Sequence, residues 1–184
     1  ITPGYSEKVM EFVAQEAEKQ GLKMNIKSFS DYVTPDQALA AGDIDLNSFQ
    51  HGPFLEAFNE KNGTKLVSIG NTYLAPLRIY SNKITDIKDV PDGAKVSIPN
   101  DPSNGGRALL LLDHQGLLKL KEGADPTKAV VGDIAENPKN LQIVELEAAQ
   151  LPRSLDDVSI SVINAGYAKS AGLDSKKALA TEDN

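Results

Sequence analysis

The sequence contains no cysteine, which excludes disulfides, thiolate zinc sites and a cysteine nucleophile. It leaves the compartment open, because bacterial envelope proteins often lack the residue. Basic charge is also short: 19 Lys plus Arg stand against 26 Asp plus Glu, a net charge of −7. That balance argues against a nucleic-acid partner, which needs a basic face to displace counterions, and leaves small neutral or zwitterionic ligands open. No stretch approaches the roughly 18 consecutive apolar residues of a membrane span, and the start Ile1-Thr2-Pro3-Gly4 has neither a basic nor an apolar leader region. Any signal or lipid anchor is expected to have been removed. Internal repeats, low-complexity tracts and long flexible linkers are likewise missing.

What is present is 184 residues, 40% hydrophobic and 24% charged, enough for one large domain or two small ones. Val9, Met10, Val13, Ala14 and Ala17 recur at helical spacing up to Gly21. Leu22, Met24 and Ile26 then alternate with polar residues, as in a half-buried strand. Thr34-Pro35-Asp36-Gln37 predicts a short helix with Thr34 as its N-cap, and Gly52-Pro53 starts another that runs to Gly63. Strands are predicted at residues 44–46, 66–69, 77–80, 95–98, 141–144 and 159–163, and helices after Arg107 and over 167–171. Alternation of this kind is α/β, with mainly parallel sheets flanked by helices, and ligands in such sheets gather at the carboxyl ends of strands. From topology, residues 1–71 and 166–184 form one lobe and 84–161 the other. Residues 72–83 and 162–165 are the hinge crossovers, and the ligand lies in the cleft between the lobes.

The residues themselves offer few chemical sites. Arg107 follows two glycines ahead of the run Ala108-Leu109-Leu110-Leu111-Leu112, so helix N–H groups and its own guanidinium could hold a carboxylate. An unliganded Arg107 is expected to be solvated, and the alternative role is a surface arginine paired with a nearby acid. Ser103-Asn104-Gly105-Gly106 could cradle a phosphate for an enzyme, but it has neither a P-loop ending nor G-x-G-x-x-G spacing. Asn164 ends a strand before a helix, where its amide could serve both ends of a zwitterion or simply cap the helix. Tyr32, Phe49 and Tyr73 lie at or just after strand ends and could contact a thioether, or could be plain core. His51 could line a pocket or act as a base, but no nucleophile motif accompanies it. Asp43, Asp45, Glu145 and Glu147 continue into no calcium loop and suggest no carboxylate pair. Neither a metal nor a cofactor is expected. A regulator's effector domain shares the two-lobed plan, yet the sequence carries no helix-turn-helix or basic segment.

Six segments in order carry a resemblance. They are Asp31-Tyr32-Val33-Thr34-Pro35, Gly42-Asp43-Ile44-Asp45 with Phe49-Gln50-His51, and Ile98-Pro99-Asn100-Asp101-Pro102-Ser103-Asn104 with Gly106-Arg107-Ala108-Leu109. Val144-Glu145-Leu146-Glu147-Ala148, Gln150-Leu151-Pro152-Arg153-Ser154-Leu155-Asp156-Asp157 and Val162-Ile163-Asn164 complete the set. Together they resemble the methionine-binding lipoproteins of ABC importers (the MetQ/NlpA family) along essentially the whole chain. The resemblance implies a two-lobed, type II-like periplasmic-binding-protein fold that binds L-methionine, or a methionyl dipeptide or D-methionine, without catalysis. It implies aromatic residues around the methionine side chain, with Arg and Asn at its ionic ends. Tyr32, Phe49, His51, Arg107 and Asn164 occupy matching positions, and Tyr73 and Asn104 are further candidates. Phe54 departs from the family's usual Tyr, Ser48 from its usual Phe or Ala, and Ala165-Gly166 from bulkier residues. The implied partners are a permease with its ATPase, and the implied place is the cell envelope, held by a lipid anchor. Family members carry a strand just before the position of Ile1 and more helix and strand after Asn184, so the first lobe is expected to be incomplete at both ends.

Overall fold

The computed structural model describes residues 1–183. Contacts divide the chain into two compact units, Ile1–Leu74 and Ala75–Asn184.

The first unit is built on three helices. Helix α1 (Tyr5–Lys19) starts where Glu7 accepts the Gly4 N–H at 3.3 Å. Its apolar stripe is only partly covered, since Val9 and Val13 are 37% exposed and Phe12 is 62% exposed. Helix α2 (Thr34–Ala41) begins one residue earlier than a Thr34 cap requires. Asp31 does the capping instead: its carboxylate accepts the N–H groups of Val33 and Thr34 at 2.8 and 2.7 Å and the Thr34 hydroxyl at 2.7 Å. Helix α3 (Gly52–Asn62) has Pro53 in its first turn, where a missing N–H costs nothing, and ends at Gly63 with φ 64, a left-handed geometry that suits glycine.

The strands expected at residues 22–27, 44–46 and 66–69 are not laddered among the described residues. A period-2 pattern becomes a strand only when a partner satisfies its backbone groups. At 22–27 the rung to a neighbour consists of the Ile1 ammonium donating to Lys27 O at 3.0 Å and Phe29 N–H donating to Ile1 O at 2.9 Å. Leu22, Leu46, Val67 and Ile69 are correspondingly exposed.

The second unit holds the sheet. Strand β1 (Arg78–Tyr80) precedes β2 (Lys95–Pro99), α4 (Pro102–His114) and the short pair β3 (Lys119–Leu120) and β4 (Ile134–Glu136). Then come β5 (Gln142–Leu146), α5 (Leu151–Ser154), β6 (Ile160–Ile163), α6 (Ala165–Ser170) and β7 (Ala180–Thr181). Five strands form one sheet in the order β5-β2-β6-β1-β7. Strand β2 runs parallel to β5 and β6, while β1 pairs antiparallel with β6 and β7. All four residues of β6 are buried, and so are all of β2 except Lys95, as expected for central strands covered on both faces. Leu109 and Leu112 of α4 pack into a core with Leu77, Ile79, Ile98 and Ile160.

The assignment of residues 166–184 to the first lobe needs correction. Thr181 pairs with Arg78 and Ala180 with Ile79, and Glu182 N–H donates to Leu77 O at 2.9 Å, which ties that stretch into the sheet of the second unit. A two-residue edge strand carries too little pattern for its sheet to be read from sequence.

Candidate functional site

In the first unit an aromatic cluster forms around α3. Tyr32 stacks on Phe49, with ring centroids 5.9 Å apart and planes at 28°. Phe54 meets both edge-on, at 5.9 and 6.0 Å, and His51 lies tilted 6.3 Å from Phe54. These are the offset and T-shaped geometries that ring quadrupoles favour. Phe54 is 8% exposed and central to the cluster; the sequence marked it only as a departure, although its place one helical turn after His51 was a usable signal.

Asp36 fixes the strip that carries these rings. Its fully buried carboxylate accepts Asn47 Nδ2 at 2.9 Å and Gln50 Nε2 at 2.7 Å on one oxygen, clamping residues 47–50 to the first turn of α2. Burial pushes the Asp36 carboxyl above its usual range, and the two amide hydrogen bonds offset this only in part. Phe49 and His51 also line a recess of about 850 Å³ that belongs wholly to this unit, with Leu66 and Tyr73 on its wall. Tyr73 is 40% exposed, and its hydroxyl shares a 3.0 Å hydrogen bond with Ser6 Oγ, which itself donates to Ser48 O.

In the second unit a polar network stands at the carboxyl ends of two neighbouring parallel strands. Strand β2 leads into α4 and β6 into α6, so the two turns lie side by side. Asn104 is the hub: its Oδ1 accepts Arg107 Nη1 at 2.9 Å and Asn164 Nδ2 at 3.0 Å. Arg107 also grips Glu182 bidentately, through Nε at 2.8 Å and Nη2 at 2.6 Å, and Leu77 N–H donates to Glu182 at 2.9 Å. The side chains of this ion pair are 19% and 21% exposed, so Arg107 is not solvated as the sequence suggested, and its acidic partner is Glu182. Glu182 was missed because a partner 75 positions away leaves no local pattern.

The start of α4 differs from expectation too. Asp101 caps the helix, its Oδ1 accepting Asn104 N–H at 3.0 Å, Asn104 Nδ2 at 2.9 Å and Ser103 Oγ at 3.0 Å. A carboxylate of the chain thus sits where the helix would have offered N–H groups to a phosphate, which removes the basis for the phosphate-handling reading. Gly105 and Gly106 lie inside the helix. A Cβ on Gly106 would come 2.4 Å from Pro126 O and 3.1 Å from Ala129 N, so the glycine serves close packing of the 126–129 loop.

Asn164 occupies the N-cap position of α6 but makes no side-chain cap. Its amide instead donates to Asn104, and its Oδ1 is buried with no hydrogen-bond partner among the described residues. His114 is exposed at the end of α4. Among the described residues no three His, Asp or Glu side chains are grouped to hold a metal, and no helix is long and apolar enough to cross a membrane.

The α/β fold is that of known solute-binding proteins. The structure matches a nutrient-binding protein from Burkholderia cenocepacia bound to methionine, at a TM-score of 0.95 and 50% identity, over 99% of this chain and 77% of that one. It matches the substrate-binding protein of a methionine transporter from Streptococcus pneumoniae at 0.93 and 41%, over 100% and 74%. The chain belongs to the NlpA lipoprotein family, whose model matches residues 1–184. It is 48% identical over 176 residues to the D-methionine-binding lipoprotein MetQ of Escherichia coli K12, covering 94% of this chain and 65% of that protein. To the probable D-methionine-binding lipoprotein MetQ of Vibrio cholerae it is 49% identical over 178 residues, covering 96% and 66%. The chain thus spans about two thirds of the length of these curated relatives.

Proposed function

We propose that this chain is the binding component of an ABC importer and takes up methionine as its cargo. The observation that carries the proposal is the pairing, in one chain, of an aromatic cluster suited to a thioether with an Arg–Asn network suited to an amino acid's charged ends. Tyr32, Phe49 and His51, with Phe54 behind them and Tyr73 nearby, receive the methionine side chain; each sulfur–aromatic contact is worth about 0.3 to 1.5 kcal/mol. Arg107 takes the carboxylate, with Asn104 holding its guanidinium in place, and Asn164 Oδ1, without a partner among the described residues, accepts from the ammonium. No bond is made or broken. The stretch that joins the two units, within residues 72–83, acts as the crossover about which the protein closes on its ligand. The loaded protein then delivers the cargo to a permease and its ATPase from an extracytoplasmic position, held to the membrane by a lipid anchor.

The test is a thermal-shift panel with both methionine enantiomers, a methionyl dipeptide, leucine, glutamate and a phosphate ester. A ligand at a hundred times its Kd stabilises the folded state by about 2.7 kcal/mol. For a chain of this size that raises Tm by roughly 5 to 10 °C. A methionine form should give the largest shift, with leucine and glutamate far behind. A largest shift from the phosphate ester or from glutamate would overturn the assignment.

A further inference from the structure

We infer that Glu182, through its hold on Arg107, makes the site select zwitterionic amino acids over simple carboxylates; this rests on the transport reading above. Three of the five guanidinium N–H groups of Arg107 are already committed, two of them to Glu182 at 2.8 and 2.6 Å and one to Asn104. A ligand carboxylate therefore meets an arginine whose charge is matched by an internal carboxylate. Asp101, bonded to Asn104 through both of its oxygens, adds a second negative charge to the same network. A guanidinium paired with Glu182 and linked through Asn104 to Asp101 makes a poor receptor for an anion that brings nothing else, because each further negative charge repels those already present.

An α-amino acid brings an ammonium with its carboxylate, and the network has acceptors for it. The negative charge of Glu182, held beside Arg107, favours an ammonium brought to the same network. Asn164 Oδ1, on a residue 8% exposed, is a buried acceptor with no partner among the described residues, and Asn164 joins Arg107 through the shared oxygen of Asn104. Burial makes an unsatisfied acceptor costly, which strengthens its preference for a cationic donor. Glu182 thus contributes in two ways: it weakens the pull on a bare carboxylate and it favours the ammonium.

The experiment compares the parent with Glu182→Gln by isothermal titration, using methionine and 4-(methylsulfanyl)butanoate, which keeps the side chain and carboxylate but lacks the ammonium. The parent should prefer methionine. In Glu182→Gln that preference should fall by about tenfold or more, with methionine weakened and the des-amino acid unchanged or tighter. Equal weakening of both ligands would reduce Glu182 to a support for Arg107, equal tightening would reduce it to a competing anion, and an unchanged ratio would leave it no role; each overturns the inference. A parent that binds neither ligand overturns the transport reading itself, and the inference with it. If the unliganded Glu182→Gln protein does not fold, Glu182→Ser gives the same ratio with room for water at the arginine fork.

Discussion

Arg107→Ala is expected to lower methionine affinity by about 2 to 5 kcal/mol, roughly 30-fold to several-thousand-fold. The ligand carboxylate loses water on binding and needs charged donors to offset that loss. With Asp101 capping α4, the helix supplies fewer N–H groups than the sequence suggested, so more of the burden falls on the guanidinium. The unliganded variant should not melt like the parent. Glu182 would keep a carboxylate that is only 21% exposed after losing both of its hydrogen bonds from Arg107, at a cost of about 1 to 3 kcal/mol. Adding Glu182→Gln to Arg107→Ala removes that stranded charge, so the double variant should recover most of the melting temperature while binding stays lost. Titration and melting of the two variants separate the roles: unchanged methionine affinity in Arg107→Ala would take the residue out of the site.

Gly106→Ala should be the most damaging small substitution in the second unit. In an open helix the change stabilises by about 1 kcal/mol through helix propensity. Here the new methyl group would lie 2.4 Å from Pro126 O, a backbone atom that no rotamer change can move aside. Overpacking of this kind costs about 1 to 3 kcal/mol and sometimes more, and a 2.4 Å backbone clash belongs at the upper end. The clash wins by about 2 kcal/mol, or roughly 4 to 8 °C in Tm. Gly52→Ala is the control: it lies in the first turn of α3 with nothing within 4 Å of a new Cβ, and should leave Tm unchanged or raise it. A thermal scan in which Gly106→Ala also matches or exceeds the parent would show that the 126–129 loop yields.

The legible parts of the fold were those where burial leaves a long pattern. Strands β2 and β6 read as strands because buried central strands are almost continuously apolar, and α4 because four consecutive leucines follow its start. Helix α3 was marked at both ends by Gly52-Pro53 and Gly63. The N-cap of α2 lies one residue before the expected Thr34, and the side chain that holds that end is Asp31, outside the helix in a loop whose shape sequence does not reveal. Residues 22–27 have the period of a strand, but pairing depends on a neighbour and not on the segment itself. Strands β3, β4 and β7, of two or three residues, lie below the length at which period can be seen.

Of the candidate residues named from sequence, the structure gathers Tyr32, Phe49 and His51 with Phe54 into one cluster. The candidates Arg107, Asn104 and Asn164 are joined through a single oxygen of Asn104. What sequence could not supply was the pairing partner of each polar group, because Glu182 reaches Arg107 only through the sheet that brings β7 beside β1.

The most direct test of methionine as the cargo is native mass spectrometry of the protein mixed with an equimolar set of the common amino acids. The expected spectrum shows one adduct per chain with the mass of methionine and no comparable adduct of leucine, phenylalanine or glutamate. A dominant adduct of another amino acid, or a bare protein with every amino acid present, would contradict it.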